Sequence, residues 1–260
     1  MDQIKSSVKM VLGHLDPVSE RAVQKLTRIS HLTADFDRVY HVHVRKTGGT
    51  SLNYGFFSID GADPRKVYNT LDQKFLHRSI ELNKVFVGWN KEFINKGRYF
   101  FAYSHLPVYK LRLPPRTFSV TCLRDPVQRV VSHYNMLAQY EVSNTEHPLR
   151  RTECRWLGDS FSDFLDRIPR QHLLNQLYMF SPGYEAEEAA ERIKQCSYYF
   201  FTENYAEGIK EINMTLGLNI EVLQMRKSNR KIININADEL SRLREALEPE
   251  YRLLELLQRK

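Results

Sequence analysis

The sequence predicts an α/β fold with a central parallel β-sheet covered by helices on both faces. Short runs rich in β-branched and aromatic residues recur at 39–44, 99–103, 118–123 and 198–202. They are apolar along their length rather than alternating, as strands buried on both sides must be. Segments with helical spacing separate them, the pattern of crossover connections in a parallel sheet.

The first run, Val39-Tyr40-His41-Val42-His43-Val44, ends in a glycine-containing turn, which marks a strand end. From Thr50, through Ser51, Leu52, Asn53 and Tyr54, the chain reads as a helix start. Tyr99–Tyr103 and Phe118–Leu123 are the second and third strands. Asp125-Pro126 follows, an N-cap residue and a proline at the first helical position. Val127, Val130, Val131, Tyr134 and Leu137 then recur at helical spacing. Residues 142–159 are polar and irregular and carry Arg150, Arg151 and Arg155, which predicts a surface excursion between two helices. Ser160 and Asp163 cap the next helix. Tyr198–Thr202 is the fourth strand, and 238–260 reads as a closing amphipathic helix broken near Pro249. Residues 1–37 form a helical, partly amphipathic lead-in.

The chain has 260 residues and shows no internal repeat, low-complexity tract or Gly/Ser linker. At roughly 150 residues per domain this length fits one large α/β domain or two small ones, and the expectation is a single domain over 1–260. Hydrophobic residues at 42% and charged ones at 27% exclude overall disorder. Lys and Arg number 38 against 31 Asp and Glu, a net charge of +7. That excess fits an anionic ligand and fits solubility equally well. Cys122, Cys154 and Cys196 are odd in number and far apart, so reduced thiols are expected, with no disulfide framework and no metal site. No signal-type apolar region and no run of about 18 apolar residues is present, so the expectation is a cytoplasmic protein without a membrane span. A lumenal catalytic domain cut from its anchor would read the same way.

The sharpest local feature is Arg45-Lys46-Thr47-Gly48-Gly49-Thr50-Ser51, between a strand and a helix. Glycines let backbone N–H groups approach an anion, and a helix N-terminus adds partial positive charge. Lys46 supplies a full charge, and Thr47, Thr50 and Ser51 supply hydroxyls. The order differs from a Walker A loop, where lysine follows the glycines. A tight βα turn with a solvated lysine is the plain alternative. The second feature runs from Arg124 through Asp125 and Pro126 to Ser132. Arg124 sits where the third strand gives way to a helix, the edge at which α/β sheets bind ligands. A guanidinium fork with a nearby hydroxyl suits a phosphate group. Alone, it reads more plainly as a capped helix start with a surface arginine.

Together the two segments resemble those of the 3′-phosphoadenylyl sulfate (PAPS)-dependent sulfotransferases, particularly the carbohydrate O-sulfotransferase branch. That family carries a Lys-Thr-Gly-Gly/Ala-Thr-Ser loop for the 5′-phosphosulfate and an Arg-(Asp/Asn)-Pro segment with a following serine for the 3′-phosphate. Lys46–Ser51 and Arg124–Ser132 match these. The resemblance spans roughly 39–251 and implies a P-loop-NTPase-like sulfotransferase fold. It implies PAPS as co-substrate, no metal, and an acceptor hydroxyl, a sugar first. The family commonly has proline where this chain has Arg45, which alters loop rigidity or adds charge near the phosphosulfate. The resemblance also nominates His105, in Tyr103-Ser104-His105-Leu106-Pro107, as the base that deprotonates the acceptor. Without it, His105 is a capping or part-buried histidine. His43, Glu81 and Glu92 are the fallback bases, and His41 and His43 share one strand face. The basic run holding Arg226 and Lys227 corresponds to a late loop that closes over the nucleotide, or is simply solvated. Two rival readings remain: a kinase-like phosphoryl-transfer enzyme and a non-catalytic binder of anionic polymer. The aromatics lie in core runs rather than between Lys and Arg, which speaks against nucleic acid.

Overall fold

The computed structural model describes residues 17–29, 32–72, 77–143, 146–223 and 235–258. Its elements begin with α1 (Pro17–Ile29), β1 (Arg38–Val42), α2 (Gly49–Phe57) and α3 (Pro64–Asp72). A hairpin follows, β2 (Arg78–Glu81) and β3 (Lys84–Gly88), then α4 (Lys91–Lys96), β4 (Phe101–Ser104) and β5 (Thr117–Leu123). Next come α5 (Pro126–Val142), α6 (Pro148–Thr152), α7 (Phe161–Arg167), α8 (Arg170–Leu173) and α9 (Asn175–Tyr178). The last elements are α10 (Ala186–Lys194), β6 (Tyr198–Phe201), α11 (Tyr205–Leu216), α12 (Ala237–Ala246) and α13 (Glu248–Gln258).

The six strands form one sheet in the order β2-β3-β4-β1-β5-β6. β2 runs antiparallel to β3, and every other pairing is parallel. The expected α/β class is therefore observed. Alternate residues of β1 enter opposite cores, as strand geometry requires. Val39 packs with Leu52, Phe56, Phe101 and Ile209, while Tyr40 and Val42 pack with Val130, Leu137, Leu177 and Leu253.

All four expected strands are present, and the β2–β3 hairpin is an addition. Its edge strand, Arg78-Ser79-Ile80-Glu81, is polar, and its turn uses Leu82 and Asn83 at φ 46° and 60°. Neither is the Asn-Gly or Asp-Gly dipeptide that announces such a turn. The cap on α5 is as expected, with the Asp125 side chain accepting from Gln128 N and Pro126 at the start. Ser160 likewise caps α7. The closing helix breaks at Leu247, which places Pro249 in the first turn of α13, where proline is tolerated.

The 142–159 segment, expected as a surface excursion, keeps Arg151 and Arg155 exposed but turns part of its length inward. It forms α6 and a 3₁₀ turn at Cys154–Trp156, and Glu153, Cys154, Trp156 and Leu157 are buried. Glu153 is held there by a buried ion pair, described below, while Cys154, Trp156 and Leu157 join the apolar core. All three cysteines are free thiols. Among the described residues no helix is long and apolar enough to cross a membrane.

The register aligns Val42 of β1 with Ser104 of β4 and Thr121 of β5. The loops leaving these three strands therefore open on one sheet edge. β1 lies between β4 and β5, where connections diverge to either side, the place at which open α/β sheets bind ligands.

Candidate active site

The segments leaving β1, β4, β5 and β6, with α5, border a cavity of about 430 Å³ lined by Arg45, Lys46, Gly48, Gly49, Thr50, Ser51, His105, Arg124 and Ser132, among others. The expected site residues among the described ones thus converge, with one exception. Thr47 is fully buried, and its hydroxyl donates to Val44 O at 2.9 Å instead of facing the cavity. Arg226 and Lys227 lie outside the described residues.

The loop after β1 bends sharply. Lys46 has φ 67° and Gly48 φ 79°, a left-handed backbone that costs a residue with a Cβ but not glycine. Gly48 is the N-cap of α2 and offers no side-chain cap, so the helix start presents its N–H groups to an incoming anion. Gly49 is required by contact rather than conformation. A Cβ there would stand 2.1 Å from His43 Cδ2 and 2.8 Å from His41 Cε1. Lys46 Nζ rests on the thioether of Met136, 3.3 Å from Sδ.

Arg124 leaves the end of β5 and reaches back, donating from Nη1 to Lys46 O at 3.3 Å and from Nη2 to Gln128 Oε1 at 3.4 Å. The two anion loops are therefore in direct contact. Gln128, Ser132 and Met136 all line the cavity from α5. Their spacing of four places them on one helix face.

His105 is the first residue beyond β4. Its Nδ1 lies 2.7 Å from His43 O. A carbonyl oxygen only accepts, so Nδ1 carries the proton and Nε2 of the neutral ring holds the lone pair. Burial, and then the charge of Arg45, lower its pKa to about 4. The His43 ring lies tilted against His105 at 4.3 Å and stacks on His41 at 4.8 Å. Asn53 Oδ1 accepts from His41 Nδ1 at 2.7 Å, and burial lowers the His41 pKa to about 4. Of the fallback bases, His43 lines the cavity. Glu81 is paired with Lys66, and Glu92 with Lys96.

Arg45 lines the cavity, but its guanidinium is engaged by Glu153. Nη1 and Nη2 donate to the two oxygens of Glu153 at 2.6 and 2.9 Å. His133 Nε2 donates to the same carboxylate at 2.9 Å. Burial alone would raise the Glu153 pKa; the hydrogen bonds and charges of His133 and Arg45 hold it at about 2. Arg45 Nη1 also donates to His172 Nδ1 at 3.1 Å, which requires a neutral imidazole. Glu153, His133 and His172 carried no sequence signal, because their partner is far away in the chain. Among the described residues no group of three or more His, Cys, Asp or Glu could hold a metal ion.

A family profile described as "Sulfotransferase family" matches residues 30–254. The chain belongs to the sulfotransferase family, enzymes that transfer a sulfuryl group. No curated protein matches it in sequence. A solved structure, that of a sulfotransferase from Alicyclobacillus acidocaldarius, is 16% identical, with a TM-score of 0.43 over 86% of this chain and 96% of that one.

Proposed function

We propose that the chain transfers a sulfuryl group from PAPS to a hydroxyl of a carbohydrate acceptor, without a metal. The observation that carries this reading is the meeting of Lys46, Gly48–Ser51, Arg124, Ser132 and His105 around one cavity. It offers two cationic anion sites joined at the Lys46 carbonyl, with a neutral imidazole beside them. A nucleotide with a phosphosulfate at one end and a phosphate at the other matches that layout. The open N-terminus of α2 and the Lys46 ammonium suit the phosphosulfate, and Arg124 with Ser132 suits the 3′-phosphate.

In this reading the acceptor oxygen attacks sulfur while its proton passes to His105 Nε2. The bond between sulfur and the bridging oxygen breaks, and the nucleotide leaves with the electron pair. Charge grows on that oxygen, where Lys46 and the backbone donors of Gly49 and Thr50 oppose it. Such preorganised electrostatics is usually the largest catalytic contribution. A positioned base adds about 10²–10⁴-fold.

The test is incubation with sulfur-radiolabelled PAPS and a panel of sugars, phenols, small alcohols, lipids and tyrosyl peptides. Label on sugar hydroxyls is expected. Label confined to another class overturns the acceptor, and tighter calorimetric binding of ATP–Mg²⁺ than of 3′-phosphoadenosine 5′-phosphate overturns the donor.

A further inference from the structure

The two anion loops are held by a pair of buried amides that never enter the cavity. The backbone N–H of Arg45, one residue ahead of Lys46, donates to Asn175 Oδ1 at 3.0 Å. The backbone N–H of Arg124 donates to Gln176 Oε1 at 2.9 Å. These acceptors are consecutive residues on the single turn α9, and their side chains are 4% and 0% exposed.

Each amide is fixed from behind. Asn175 Nδ2 donates to Gln171 O at 3.0 Å. Gln176 Nε2 donates to Glu250 Oε2 at 3.0 Å, and its backbone N–H donates to Glu250 Oε1 at 2.7 Å. Glu250 pairs with Arg129, both fully buried, and Arg129 also donates to the carbonyls of His172 and Leu173, just ahead of α9. A buried amide with both ends committed cannot turn without stranding a donor or an acceptor. The spacing of the two loop N–H groups is thereby tied to the spacing of two adjacent residues.

We propose that Asn175 and Gln176 are positioning residues, a clasp that sets the separation between the 5′-anion loop and the 3′-phosphate loop and so selects nucleotides anionic at both ends. The proposal rests on the donor reading above. It assigns each amide a distinct loop: Asn175 supports the backbone leading to Lys46, and Gln176 supports Arg124.

The experiment is calorimetric titration of the whole chain with 3′-phosphoadenosine 5′-phosphate, adenosine 5′-phosphate and adenosine 3′-phosphate. Gln176→Met should reduce the preference for the bisphosphate over the 5′-phosphate about tenfold, the scale of one lost buried hydrogen bond, while 5′-phosphate affinity stays within about twofold. Asn175→Leu should reduce the preference over the 3′-phosphate by a similar factor, and Asn175→Asp, which keeps the acceptor for Arg45 N–H but loses the donor to Gln171 O, should reduce it less. General damage would weaken all three ligands alike. That result, or unchanged preferences in both variants, overturns the clasp. Should Gln176→Met lose its cooperative melt through the Glu250 network, the Asn175 pair decides alone. A wild-type chain with no preference for the bisphosphate sinks the donor reading instead.

Discussion

Glu153 grips the Arg45 guanidinium with both carboxylate oxygens, from a segment with no recognisable motif, and so ties that segment to the loop carrying Lys46. The pair is almost fully desolvated, with side-chain exposures of 8% and 15%. Removing one member would leave a buried charge uncompensated. Glu153→Ala should cost about 3–5 kcal/mol, read from urea denaturation, and Glu153→Gln should cost less because it still accepts from Arg45. Equal stability of Glu153→Ala and wild type would show that the pair contributes nothing.

Lys46→Ala should abolish sulfuryl transfer while leaving the melting temperature nearly unchanged. The ammonium contacts the Met136 thioether and lines the cavity rather than the apolar core. Full activity in this variant would remove the lysine from the chemistry.

Arg124→Ala should weaken binding of 3′-phosphoadenosine 5′-phosphate by about 2 kcal/mol, the worth of charged hydrogen bonds, with adenosine 5′-phosphate little affected. An equal loss for both nucleotides would mean that Arg124 supports the loop rather than the phosphate.

If His105 is the base, its titration should set the acid limb of the rate profile. An unperturbed histidine would switch off catalysis below about pH 6.5. Burial and the Arg45 charge move this one to about 4, and the active form is neutral. kcat/KM should therefore hold through pH 6 and fall tenfold per pH unit below about 4. His105→Ala should stop transfer yet bind the nucleotide. Retained turnover would pass the base role to His43.

Acid should also unfold the protein early. The folded-state pKa values of His41, His105, His133 and His172 all fall to about 4, chiefly through burial. Between about pH 6.5 and 4 the unfolded chain binds protons that the folded chain refuses, so stability drops as pH drops. The melting temperature should be flat above pH 7 and decline steeply from 6.5 to 4. A flat profile across that window would mean these rings take up protons without unfolding.

The legible parts of this protein share a physical cause. β1, β4 and β5 are buried almost throughout and rich in β-branched and aromatic residues, as is β6 in composition, so burial writes itself into consecutive residues, and the Gly48–Gly49 turn and Asp125-Pro126 cap are local devices. The β2–β3 hairpin was hidden because an edge strand must stay polar and its turn uses Leu82-Asn83. Glu153, Asn175 and Gln176 were hidden because their partners come from distant stretches of chain and they act through single hydrogen bonds. Arg45 was visible, but its direction was not: the expected extra charge near the phosphosulfate is engaged by Glu153.

The Glu250 carboxylate has a consequence for synthesis. It lies on α13, yet it braces Gln176 and, through it, the backbone of Arg124. A nascent chain whose α13 is still inside the ribosome has Arg129 and Gln176 without their common acceptor. The cavity walls therefore gain their full set of supports only after translation has passed Glu250, and a ribosome stalled short of it would display a sheet whose Arg124 loop lacks its brace.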